Sequence, residues 1–195
     1  MTVGTFRMTA EQTQTVPAMV TVPDGWSGCH QGLLTKEFGP PAGPALIGFW
    51  SVDNVYADPC QWDGALMDPS VGPTPADLAN AVVAQELTDA TVPDDDTLGG
   101  LPATHVQLSV PVDLDTSDCL EDQATRLGPE FRFWNGPGDS VWWIGATDAP
   151  GLIADVWAAN LGDTRVVVQA AYFSDGAPAE VEEVMRIVRS ITFEP

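Results

Sequence analysis

Apolar residues in this chain fall into short blocks set apart by glycine, proline and aspartate, a rhythm that suits many strands and tight turns. "GTFRM" and "AMVTVP" predict opening strands, and "GLLTKEFG" and "PALIGFWSV" a hairpin joined by the turn-rich "GPPAGP". In "PATHVQLSVP", Val106, Leu108 and Val110 alternate with His105, Gln107 and Ser109, so one strand face is apolar and the other polar. "EFRFW", "SVWWIGA", "LIADVWAA" and "TRVVVQAAYF" follow as further strands. The last is apolar on both faces, with Val166, Val168, Ala170 and Tyr172 on one and Val167, Ala171 and Phe173 on the other. A strand of that kind belongs in the middle of a sheet covered twice. "TVPDDDTLGG" reads as a polar loop, its three aspartates as a solvated turn.

Two segments switch to helical period. In "GPTPADLANAVVAQEL", Thr74 is placed to cap, Pro75 suits the first helical position and Asp77 the acid of a capping box. Leu78, Ala79, Val82 and Val83 form its apolar side. In "GAPAEVEEVMRIVRSITF" the stripe is Val181, Val184, Met185 and Val188, before a short strand. Its acids, Glu180, Glu182 and Glu183, come early, and Arg186 and Arg189 come late, as the helix dipole prefers. Together these elements predict an α+β fold, an antiparallel sheet of about seven to nine strands covered by two main helices. With no internal repeat or long linker, residues 1–195 are expected to form a single domain.

Charge narrows the partners. The chain holds 28 acids against seven bases, Lys36 being the one lysine, for a formal net charge of −21. That field repels phosphate backbones and anionic bilayers, so nucleic-acid binding is not expected. The acidity reads first as solubility. No apolar run approaches the roughly 20 residues a membrane helix needs, so this segment is not expected to insert directly into a membrane. The N-terminal stretch, with one arginine and no continuous apolar core, does not read as a signal peptide. Export would therefore use a targeting segment outside this chain or another route.

Candidate chemistry is sparse. The three cysteines, Cys29, Cys60 and Cys119, form no C-x-x-C pair, and only His30 and His105 accompany them, too few for a structural zinc site. A disulfide with one cysteine left over fits better and points to an oxidising compartment. In "GWSGCHQG", Cys29 and His30 are neighbours that an extended chain points apart, so His30 is not expected to activate the thiol. "GWSGC" lacks the spacing of a nucleophile elbow. Counting an EF-hand loop from Asp113 puts Asp118 and Ala124 where glycine and glutamate are required, so calcium is not expected there. No catalytic, metal or cofactor residue is assigned, and no cofactor is expected. Of the seven tryptophans, Trp142 and Trp143 are adjacent on a strand and cannot both enter one core. One of them must face a pocket, an edge or a second layer.

Several stretches, "VPDGWSG", "GFWSVDNVYADPCQW", "VGPTPADLANAV", "HVQLSVPVDLDTSDC" and "VMRIVRSITF", together resemble a family of actinobacterial secreted or membrane-tethered domains without an assigned activity. The closing helix and strand also resemble those of PsbP-like and LpqN-like lipoprotein domains. That resemblance implies a PsbP-like α/β/α sandwich around an antiparallel sheet, and an extracytoplasmic setting. It implies too that the cysteine of "ADPC" and that of the later "DC" pair, here Cys60 and Cys119, while Cys29 has no place in the pattern. "DNVYADPCQW" then reads as a structural corner after a buried strand. The expected function is a non-enzymatic extracytoplasmic interaction or sensing domain, its partner an unknown protein or cell-envelope ligand. A small-ligand or carbohydrate carrier and a small cell-wall-modifying hydrolase are the alternatives.

Overall fold

A computed structural model describes residues 2–4, 7–9, 15–29, 32–123, 127–137 and 141–193, with backbone alone before Ala18 and at Cys29. In chain order the first strands are β1 (Thr2–Gly4), β2 (Arg7–Thr9), β3 (Thr15–Val22), β4 (Ser27–Cys29), β5 (Leu33–Glu37), β6 (Pro44–Trp50) and β7 (Asn54–Val55). After helix α1 (Pro75–Val83) come β8 (Asp89–Ala90), β9 (Asp94–Leu98), β10 (Leu101–Ser109), β11 (Glu130–Asn135) and β12 (Val141–Gly145). The chain then runs through β13 (Leu152–Leu161), β14 (Thr164–Phe173), α2 (Pro178–Arg189) and β15 (Thr192–Phe193).

Among the described residues these strands build three antiparallel sheets rather than one. The main sheet has eight strands: β4, β5, β6, β14, β13 and β10 in spatial order, with β8 and β9 sharing the outer edge of β10. β15 and β1 flank β3 in a second sheet to which β2 adds, and β12, β11 and β7 form a third. The expectation of one sheet falls short because several strands are only two or three residues long, too short to leave a periodic signal.

β14 lies between β6 and β13, and both of its faces are buried. Val167 and Ala171 face a core shared with Leu78 and Val82 of α1, and with Phe131, Phe133 and Trp134 of the third sheet. Val166, Val168 and Ala170 face a second core, shared with Val184, Ile187 and Val188 of α2 and with Val20 and Val22 of β3. The two helices therefore cover opposite faces of the main sheet.

α1 starts as its residues dictate. Thr74 Oγ1 accepts from the Asp77 amide, Asp77 accepts from the Thr74 amide, and Pro75 opens the helix. Its buried side is Leu78, Ala79, Ala81 and Val82, whereas Val83, expected inside, is 40% exposed. In α2 the buried residues are Val184, Ile187 and Val188, so Ile187 is added to the stripe that the sequence predicts.

The polar segment "DDDTL" is also a correction. It is strand β9, paired with β10 through a tight turn in which Gly99 and Gly100 both take positive φ, 58° and 86°. Such a turn matches the twist of a hairpin and is open to glycine at little steric cost. Lying at a sheet edge, β9 exposes its aspartates and needs no apolar alternation.

Arg165, near the start of β14, fastens the approach to α1. Its guanidinium donates to the carbonyls of Gly72 (2.5 Å), Thr74 (3.3 Å) and Val52 (2.7 Å). Burial holds its pKa below the usual arginine value.

Candidate functional site

His105 projects from β10 onto the sheet face that also carries Trp157 and Asp155 of β13 and Tyr172 of β14. Its Nε2 lies 3.0 Å from Asp155 Oδ1 and its Nδ1 lies 3.1 Å from Asp94 Oδ1 on β9. The imidazole stacks on Trp157 with ring centres 4.8 Å apart, and Trp157 donates to Asp96 Oδ2 at 2.8 Å. Asp155 is 3% exposed and also accepts from Gln107 Nε2 (3.0 Å) and the Tyr172 hydroxyl (2.8 Å).

Burial by itself lowers the His105 pKa, but the hydrogen bonds to Asp155 and Asp94 outweigh it and hold the imidazole above its ordinary value. Burial, then the Asp155 charge, raise the Tyr172 phenol. Both ring nitrogens are aimed at carboxylates, and when protonated the ring donates from both and has no lone pair for a metal or a substrate proton. This arrangement suits a charged structural link better than general base catalysis.

From the sequence, Asp94 and Asp96 read as part of a solvated turn, and Asp155 is given no role. A usable signal existed: Asp155 is the single acid in the apolar strand "LIADVWAA", and a lone buried carboxylate needs a cationic or donor partner.

The second cluster is the corner that follows β6. Cys60 and Cys119 form a disulfide with their Cα atoms 4.4 Å apart. Around it, Asp58 Oδ1 accepts the amides of Cys60 (2.8 Å) and Gln61 (2.9 Å), and Leu120 donates its amide to the Cys60 carbonyl (2.9 Å). Arg132 of β11 stacks over Trp62 at 3.5 Å and binds Glu130 Oε2 (2.7 Å) and Asp122 Oδ2 (2.6 Å). Arg132, Glu130 and Asp122 line a cavity of about 360 Å³ together with Trp143, while Trp142 is buried between the sheets. The adjacent tryptophans thus face opposite ways, as strand geometry requires.

A third feature is an open groove of about 640 Å³ at the end of the main sheet where β6 begins and β14 ends. Pro41, Pro44, Ile144, Pro150 and Phe173 give it apolar walls, and Asp148 and Asp175 stand among its lining residues.

Of the sequence candidates, His30 and the side chain of Cys29 lie outside the described residues. Asp113 and Asp118 are not brought together with other ligands: no three His, Cys, Asp or Glu side chains among the described residues gather as a metal site requires. No helix among the described residues is long and apolar enough to cross a membrane.

Fold and clusters together define an acidic α+β protein of antiparallel sheets with helices on both faces and a disulfide-held corner. No family model matches the chain, and no curated protein matches it. Among solved structures it is similar to LpqN, a protein involved in cell envelope biogenesis of Mycobacterium tuberculosis, with 12% identity and a TM-score of 0.47 over 99% of this chain and 92% of that one. At that score the likeness is loose and says nothing of activity.

Proposed function

We propose that this chain is a non-enzymatic interaction or sensing domain that works outside the cytoplasm, at the cell envelope. The observation that carries the reading is the Cys60–Cys119 disulfide, because such bonds persist in oxidising compartments and are rare in the cytosol. The doubly bonded His105 supports a non-catalytic role, since the chain's one described histidine has both nitrogens engaged. In the same reading residues 1–195 fold as one unit, and the two-faced cover of the main sheet is a variation on the PsbP-like sandwich.

The test is location. A tagged copy expressed from its own gene in its own cells should be degraded by protease added to intact, wall-stripped cells, while a cytosolic marker survives. Complete protection alongside that marker overturns the proposal.

A further inference from the structure

We infer that the groove at the end of the main sheet is a docking site for a basic polypeptide segment that inserts one bulky apolar side chain. The inference rests on the interaction reading above and names the partner's chemistry.

The groove has the size of a recognition site, since pockets that hold ligands span roughly 300–1,000 Å³ and this one is about 640 Å³. Its walls come from rigid parts: Pro41 and Pro44, the β12 end at Ile144, Pro150 and the Phe173 ring. Gly43 takes φ +66°, a backbone conformation that favours glycine, and packs close to the Phe173 ring at this wall. Beside the groove, Val112 is 72% exposed, which extends the apolar surface outward.

Charge selects the occupant. Asp148 and Asp175 are exposed lining residues, and no described lining residue is basic. Four of the described cations are engaged elsewhere: Lys36 with Glu183, Arg132 with Glu130 and Asp122, Arg165 with backbone carbonyls and Arg189 with Glu182. A second copy of this chain brings another net charge of −21, and an anionic bilayer brings phosphates, so both are repelled. A lysine- or arginine-rich segment is attracted by the same field, and an apolar side chain supplies the contact that the groove walls can bury.

The experiment uses a pentapeptide with one phenylalanine between two pairs of lysines, and a control with glycine in place of phenylalanine, titrated at about 150 mM salt. The phenylalanine peptide should bind at least about tenfold tighter than the control. Its NMR shift changes should centre on Ile144, Thr147, Gly151 and Phe173. Asp148→Asn with Asp175→Asn should weaken it about fivefold with the melting temperature unchanged. Thr147→Trp, which places a ring in the groove from an exposed position, should abolish the preference for phenylalanine. Equal binding of the two peptides, or shifts scattered over the acidic surface, means bulk charge alone and overturns the inference. So does no binding at all, while an extracytoplasmic location would leave the broader reading standing.

Discussion

His105 Nε2 lies 3.0 Å from Asp155 Oδ1, and through this pair the exposed edge strand β9 is tied to a carboxylate buried in the middle of the sheet. A buried carboxylate without partners is costly. Asp155 is satisfied by three side chains from β10 and β14, and His105 alone among them can carry a positive charge.

His105→Gln should therefore destabilise the protein most at acid pH. The folded-state imidazole pKa is raised, so protonation favours the folded state. The contribution is full below the unfolded value of about 6.5 and fades as pH rises through the higher folded value. We expect a loss of about 1–2 kcal/mol near pH 6 that shrinks toward pH 9. Urea unfolding of both proteins across that range measures it, and a penalty that grows with pH contradicts the assignment.

Val168→Asp places a carboxylate on β14 between Phe49 of β6 and Trp157 of β13, at a position with no exposure. At least about 3 kcal/mol should be lost, and the variant is expected to be largely unfolded at 37 °C. A melting temperature within a degree or two of wild type would place this strand at an edge.

Arg165→Met keeps much of the side-chain length while removing the donors to Val52, Gly72 and Thr74. A loss of about 2 kcal/mol is expected, with faster amide exchange in the first turn of α1 than in α2. Equal protection of both helices contradicts the anchoring role.

Much of this fold was legible in the chain. α1 was marked by Thr74, Pro75 and Asp77, three residues whose capping chemistry is local, and the β14 strand by apolar residues on both faces. The features not legible there depend on distant partners. β9 carries aspartates because it is held by backbone bonds to β10 at an exposed edge, which no periodicity announces. Periodicity alone leaves Ile187 out of the α2 stripe and puts Val83 into that of α1, because a stripe is bounded only by what packs against it. The His105 cluster joins residues from β9, β10, β13 and β14, and only the sheet order brings them together.

The disulfide bears most directly on where this protein works. It links residues separated by 59 positions, for which the chain-entropy model gives about 4 kcal/mol of stabilisation. The decisive measurement is the thiol state of Cys60 and Cys119 in protein taken from its native cells, trapped by acid and alkylated before and after reduction, then mapped by mass spectrometry. We predict that a peptide carrying Cys60 remains joined to one carrying Cys119 until reductant is added. Finding both cysteines alkylated before reduction, in protein that is folded and functional in those cells, would contradict the extracytoplasmic account.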